Sequence, residues 1–336
     1  MQRRNSVKIS FPVSTHDDEK RMQINFSFET KLFTMHIAGF KNTGVSFFIL
    51  LFFCSYAVAQ TGPNVLVVNA HPDDETSFPI ILYKITHELK GTVDLALLTD
   101  GSGGFNGSEL GSVYYGFNLT DSSVGRSELP RIRKKEVMEA GDIMGIRQYY
   151  FFDQLDDYYN LNPVPYVTGK IWDTAFIAKK LDRILAAKPY DFVITMLPYA
   201  GQHGHHKTAV IMALRAVARM KGAKKPIVLA GSTYKDEKPE AFTMLDGFPE
   251  TTMKKGAPSY YLDVASHFGK GKQVSYQVVA QWVVDAYKSQ GDMQQNPAYI
   301  GDKETFRLFD LNDDAAVSKA TALFEQLNNA GFSRKQ

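Results

Sequence analysis

From residue 62 onward, short apolar runs alternate with segments of helical spacing. NVLVVNA (64–70) is almost continuously apolar, as expected of a strand buried on both faces. FPIILYKITHEL (78–89) has the spacing of a helix, and TVDLALLTD (92–100) reads as a second strand. Residues 101–126 are rich in Gly, Ser and Asn and predict a long loop, which inside a compact domain usually has a functional role. A helix over 127–145, a strand over 148–152, a helix over 171–188 and a strand over 191–197 continue the alternation. A helix over 206–222 and a strand over 226–231 complete it. Beyond residue 232 the pattern loosens, with helices expected over 274–290 and 314–329.

Such repetition predicts an α/β fold: a Rossmann-like, mainly parallel sheet flanked by helices, with additional C-terminal helices. Polar clusters follow each of the first four predicted strands: His71 to Glu75, Asp100 to Gly104, Asp153 to Asp157, and His203 to His206. Ligands in open α/β sheets bind outside the carboxyl ends of the strands, so four separate stretches converge on one edge. The glycine-rich TDGSGG (99–104) lacks the G-x-G-x-x-G spacing and no helix promptly follows it, which argues against a dinucleotide site.

The N-terminus changes the picture. Residues 35–59 (MHIAGFKNTGVSFFILLFFCSYAVA) carry Lys41, an apolar stretch from Val45 to Cys54, and Ala57-Val58-Ala59. These are the basic, apolar and small-residue parts of a secretory signal peptide, with cleavage expected after Ala59. The apolar stretch falls short of the roughly 20 residues that a spanning helix needs, so a retained anchor is the lesser alternative. Residues 1–34 read as an upstream extension, and residues 60–336 as one mature catalytic domain, secreted or periplasmic. The mature part holds 31 Lys+Arg against 32 Asp+Glu and lacks the only cysteine of the 336-residue chain, Cys54. Near-neutral charge gives no support for a nucleic-acid partner. Without cysteine there is no disulfide, no thiolate nucleophile and no thiolate-bound zinc, so any metal must be held by His, Asp and Glu.

Six histidines remain, at 71, 87, 203, 205, 206 and 267. His87 and His267 are isolated and are expected to be structural. Catalytic zinc takes three ligands from His and Asp/Glu and leaves a position for water. His71 and Asp74, three residues apart, can reach one ion across a turn, and the third ligand is expected from the 203–206 cluster. Asp73 then stands beside the ion without binding it and can take a proton from attacking water. A cation also relieves the repulsion among Asp73, Asp74 and Glu75.

These motifs resemble the N-acetylglucosaminyl-phosphatidylinositol de-N-acetylase family, the PIG-L/LmbE-like zinc deacetylases. The resemblance rests on AHPDDE (70–75), LTDGSGG (98–104), RKKEVMEAGDIMG (133–145), FFDQLDD (151–157) and HGHHKTA (203–209), with AYKSQ (286–290) a weaker late feature. It implies His71, Asp74 and His206 as ligands of one Zn²⁺, Asp73 as general base, and His203 as the group that polarises the carbonyl or stabilises the oxyanion. It also implies Arg133 and Asp156 as substrate contacts and Glu75 as support for the ligands. HGHH departs from the commoner family variants, which leaves His205 a rival to His206. The implied reaction is hydrolysis of an N-acetyl group from an N-acetylglucosamine-type conjugate. The alternatives are a metal-dependent amidase on another amide and a secreted glycan-binding protein without turnover. Tyr114, Tyr115 and Phe117 are expected either to line the sugar site or simply to pack.

Overall fold

The strands form where β-branched residues and leucine run without interruption, because both faces of each strand are covered. A computed structural model describes residues 62–221, 224–232, 239–291 and 301–330, all within one compact unit, Val58–Gln336. The expected leader (35–59) and extension (1–34) lie outside the described residues. Strands β1 (Asn64–Asn69), β2 (Thr92–Thr99), β3 (Ile146–Gln154), β4 (Phe192–Met196) and β5 (Ile227–Ser232) follow the predicted order. Next come β6 (Tyr260–Asp263), a small ribbon of β7 (His267–Phe268) and β8 (Val274–Ser275), and β9 (Lys303–Leu308).

The main sheet has the order β3-β2-β1-β4-β5-β9-β6. Its first five strands are parallel, and β9 and β6 pair antiparallel at one edge. The sequence pattern does not reveal β6 and β9. They are short, and β9 (KETFRL) alternates exposed and covered positions with a charged residue, Glu304, among the buried ones.

The helices are α1 (Pro79–Tyr83), α2 (Glu109–Tyr115), α3 (Ser122–Met144), α4 (Val164–Val167), α5 (Thr174–Ala187), α6 (Gly204–Arg219), α7 (Tyr276–Asp285) and α8 (Ala315–Asn329). The expected loop over 101–126 is largely helical: a 3-10 turn over Ser102–Gly107, then α2, then the start of α3. Gly and Ser hide these turns from a hydrophobic pattern. The start of α3 is set by Asp121, whose carboxylate accepts from the N–H groups of Ser123 and Val124. Pro130, a residue suited to a first turn, lies inside α3.

Alternation along β1 explains the layers. Val65 and Val67 face a core shared with α1, α3, α7 and α8, whereas Leu66 and Val68 face one shared with α5 and α6. Burying each such side chain is worth about 1.5–3 kcal/mol, which fixes the sheet between two helical layers. Among the described residues no helix is long and apolar enough to cross a membrane.

The chain runs from β1 out to β2 and β3, then crosses back to lay β4 on the other side of β1. The strand order therefore reverses between β1 and β4. There the connections leave in opposite directions, the place at which open α/β sheets bind ligands outside the carboxyl ends of their strands.

Candidate active site

All four polar clusters meet at this edge, the turn after β2 included, since the Asp156 N–H donates to Asp100 Oδ1 at 3.2 Å. His71 follows β1, Asp156 and Asp157 follow β3, and the histidine cluster follows β4, where His203 is the N-cap of α6. His203 Nδ1 accepts from the His205 N–H at 3.3 Å, which anchors the turn carrying all three histidines.

Asp74 is spoken for on one side only. Its Oδ2 accepts from the N–H groups of Ala70 (2.8 Å) and His71 (2.9 Å). Its Oδ1 faces inward, 3.4 Å from His71 Nδ1 and 3.0 Å from His206 Nε2, and those two nitrogens are 2.9 Å apart. Ligand atoms about 2.0–2.2 Å from a tetrahedral zinc lie roughly 3.3 Å from one another. The three inward atoms match that spacing, so the residues present fit a divalent ion. A ring nitrogen of His203 is also within 4.8 Å of His71 and His206.

His205 points elsewhere. Its ring is fully buried, with Nδ1 3.0 Å from His71 Nε2 and Nε2 2.9 Å from Asp157 Oδ1. Tyr166 and Trp172 pack on the ring at centroid distances of 4.3 and 5.0 Å. A second grouping of possible metal donors therefore exists on the far edge of His71: His71, Asp156 and His205.

The electrostatics follow from burial of opposite charges together. Burial works against a charged His71, yet the carboxylates of Asp156 and Asp74 outweigh it and hold its pKa up at about 10. Burial also opposes ionisation of Asp74 and Asp156, but the adjacent histidines keep both well below the usual carboxylate range. The pair of carboxylates thus demands a cation, and in the metal-free protein a proton on His71 answers that demand. His203 is driven the other way, down to about 3, by burial and by the neighbouring histidines.

Asp73 stands apart from this set. Its backbone takes φ 137° and ψ −17°, a conformation that costs a non-glycine residue of the order of 1–3 kcal/mol. The strain is held by Thr76, which donates to the Asp73 carbonyl from both N–H (2.9 Å) and hydroxyl (2.6 Å), and by Arg133, whose Nη2 sits 2.6 Å from Asp73 Oδ2. Burial pushes the Asp73 carboxyl up to about 7, with Arg133 pulling against it. Glu75 is fully buried beneath, with Oε2 accepting from the Asp73 N–H at 3.3 Å, and burial raises its carboxyl well above the usual range.

Arg133 and Asp156, the expected substrate contacts, are both buried beside the ligand residues and hydrogen-bonded or ion-paired within the protein. Arg133 is 3% exposed, and it donates to the carbonyls of Pro72 (2.6 Å) and Gly101 (3.1 Å) besides gripping Asp73. Asp156 is 6% exposed and lies between His71 Nε2 (3.6 Å), His205 Nδ1 (3.5 Å) and Arg133 Nη1 (3.8 Å). Both are committed to protein partners. The glycines of the 101–104 turn permit this crowding: a Cβ on Gly103 would come within 2.6 Å of Asp156 Oδ1, and one on Gly104 within 2.7 Å of Arg133 Nη1.

Other contributors carry no motif. Arg126 holds the loop after β3 through the carbonyls of Asp156 and Asp157. Tyr166 and Trp172 wall the far side of His205, and only their size and apolarity mark them in sequence. Tyr159, 72% exposed, lies stacked on His203 with centroids 4.9 Å apart, so an aromatic face borders the site. Among the expected aromatics, Tyr115 is tied to Glu136 (2.8 Å), while Tyr114 and Phe117 are exposed.

Residues 66–217 match the family model described as PIG-L, GlcNAc-PI de-N-acetylase. A Bacillus cereus protein described as a probable N-acetyl-alpha-D-glucosaminyl L-malate deacetylase 2 is 28% identical over 182 residues, covering 52% of this chain and 69% of that one. Among solved structures, N,N'-diacetylchitobiose deacetylase from Pyrococcus horikoshii is similar at 15% identity and a TM-score of 0.45, covering 85% of this chain and 86% of its own. The 4-carboxy-2-hydroxymuconate hydratase GalB of Pseudomonas putida is similar at 14% identity and a TM-score of 0.43, covering 79% and 82%.

Proposed function

We propose that this protein, whose residues 66–217 match the PIG-L family model, is a metal-dependent N-deacetylase acting on an N-acetylated amino sugar within a larger conjugate. One observation carries the reading. Three inward donors, on His71, Asp74 and His206, lie within 3.4 Å of one another, while the neighbouring Asp73 carboxylate is clamped beside them by Arg133. Pure binding has no use for that separately held carboxylate, which speaks against a glycan-binding protein without turnover.

We assign His71 Nδ1, Asp74 Oδ1 and His206 Nε2 as the donors that hold one divalent ion, Zn²⁺ by the chemistry of a His₂Asp set. When bound, the ion supplies a polarised acyl carbonyl and a water of lowered pKa. Asp73 takes the proton of the attacking water and returns it to the departing amine. Arg133 keeps the Asp73 carboxylate aimed and offsets its charge. The His205 N–H occupies His203 Nδ1, so the His203 proton sits on Nε2, 3.3 Å from the Tyr158 carbonyl oxygen; we assign this N–H to the oxygen that gains charge as the amide is attacked, in exchange for that carbonyl. Tyr159 offers a ring face against which a sugar can lie. The PIG-L family description and the Bacillus cereus relative support the sugar; residues 35–59 support export, which N-terminal sequencing of the mature protein at Gln60 would check.

The test is acetate release from N-acetylglucosamine glycosides by the purified, zinc-loaded protein, compared with its Asp73→Asn variant. The variant is expected to bind metal normally and to lose at least about 100-fold in kcat, the low end for a lost general base. Undiminished turnover in Asp73→Asn would overturn the base assignment. Hydrolysis of simple amides but never of N-acetyl sugars would move the substrate class to the amidase alternative.

A further inference from the structure

His71 has two nitrogens, and only one can face the metal. Which one does so is decided by where its proton sits, and the residues behind it form a chain of hydrogen bonds that can be followed donor by donor. The amide of Asn160 donates from Nδ2 to the Tyr166 hydroxyl oxygen at 2.6 Å. Tyr166 therefore turns its own O–H to Asp157 Oδ1, 2.8 Å away. A carboxylate only accepts, so His205, with Nε2 2.9 Å from the same oxygen, carries its proton on Nε2. In a neutral ring this leaves His205 Nδ1 as a bare acceptor, and it lies 3.0 Å from His71 Nε2. When an ion takes the place of the second proton that His71 carries in the metal-free protein, the remaining proton belongs on Nε2, and the Nδ1 lone pair faces the position beside Asp74 Oδ1 and His206 Nε2.

The surroundings keep this chain from rearranging. His205 is fully buried, so water cannot substitute for either partner. Its ring is boxed by Tyr166 and Trp172, and by His203 at 4.2 Å. The Trp172 indole is itself fastened by donating to the Leu155 carbonyl at 2.9 Å. Asp156 flanks the His71–His205 contact at 3.6 and 3.5 Å, a negative charge that favours a proton between the two rings.

We propose that Tyr166, Asp157 and His205 form a hydrogen-bond relay that fixes the tautomer of His71 and presents its Nδ1 to the metal. His205 is thus a positioning residue and not a ligand. The inference rests on the metal-dependent reading above, and it explains why a third histidine sits in HGHH. Outer partners of a ligating histidine typically change metal affinity by about 10- to 100-fold when removed.

The test uses the intact protein and Zn²⁺ alone. In protein labelled with ¹⁵N-histidine and loaded with Zn²⁺, His71 is expected to show a protonated Nε2 and a metal-bound Nδ1. His205→Phe keeps a ring in the Tyr166–Trp172 box but offers no acceptor, and is expected to weaken Zn²⁺ binding about 10- to 100-fold in competition with a chelating dye. His205→Asn, whose Oδ1 takes the place of the ring Nδ1, is expected to recover part of that loss. A His71 protonated on Nδ1, a His205→Phe affinity equal to that of the wild type, or two ions per chain sharing both nitrogens of His71 would each overturn the relay and leave the proposed function standing. Wild-type protein that binds no divalent ion would overturn both. Should the variants fail to fold, the tautomer of the wild-type ring decides alone.

Discussion

Glu136 in α3 is the acceptor on which the late segment of the chain hangs. Ser289 donates to it twice, from N–H to Oε1 at 2.7 Å and from the hydroxyl to Oε2 at 2.6 Å, and Tyr115 donates at 2.8 Å. Glu136 and Ser289 are both fully buried, so Glu136→Ala leaves two donors without water or partner, while Tyr115 can turn to solvent. Each orphaned buried donor costs about 1–3 kcal/mol, and the emptied volume adds roughly 1 kcal/mol. Part of this is offset, because burial already opposes ionisation of Glu136 and raises its carboxyl pKa. A net loss of about 3–5 kcal/mol is expected, or a fall in Tm of roughly 6–15 °C for a domain of this size. Circular dichroism during thermal unfolding measures it. Glu136→Gln keeps an acceptor oxygen and is expected to lose less than half as much. Activity is expected to fall as well, because Gln290, next in the chain, donates to the Gly104 carbonyl at 3.3 Å and so braces the turn beside Arg133. An alanine variant within about 2 °C of the wild type would refute the claim that these donors depend on Glu136.

Three further outcomes are expected. Glu304 accepts from the N–H groups of Ile80 and Ile81 at 2.6 and 2.8 Å, and burial pushes its carboxyl up to about 8 in spite of those bonds. Because the folded pKa is the higher one, the associated stability is fully present below the ordinary value of about 4.3 and is lost as pH rises to about 8. Urea titrations of Glu304→Gln should show a shallower fall over that window; an unchanged slope would contradict the assignment. Gly104→Ala would bring a Cβ within 2.7 Å of Arg133 Nη1, and displacing that clamp should cost about 10- to 100-fold in kcat/KM, whereas a wild-type rate would show that the turn yields freely. Removing metal with a chelator should abolish hydrolysis and lower stability by about 3–4 kcal/mol relative to protein holding zinc at 100–1,000 times its Kd; an unaltered Tm would argue against a bound ion.

Much of the fold is legible along the chain because burial on both faces leaves a one-dimensional trace. VLVV and LALL read as interior strands of a covered sheet, and α5 and α6, which join the later strands, show helical periodicity. The elements that escape are those whose reason is elsewhere in space. Strand β9 exists because β5 offers an open edge, and its buried Glu304 makes sense only as the acceptor for the start of α1. The turns within 101–126 form because Asp121 caps α3 and because Gly103 and Gly104 let two buried side chains approach.

The candidate site divides along the same line. The sequence by itself determined the inventory: an acid-rich turn after a buried strand, histidines after another, and no cysteine beyond residue 54 to compete for a metal. Spacing within AHPDDE is local, so His71 and Asp74 on one ion, with Asp73 beside it, could be expected from the geometry of a turn three residues long. What only the tertiary structure decided is which atoms face one another across 130 residues of chain. It turns His206 towards Asp74 and His205 towards Asp157, and it closes Arg133 and Asp156 into the protein. The physical reason is that neighbours on a helix point about 100° apart, so adjacent histidines with the same chemistry diverge, and the packing of α6 against β1 and the loop after β3 chooses between them.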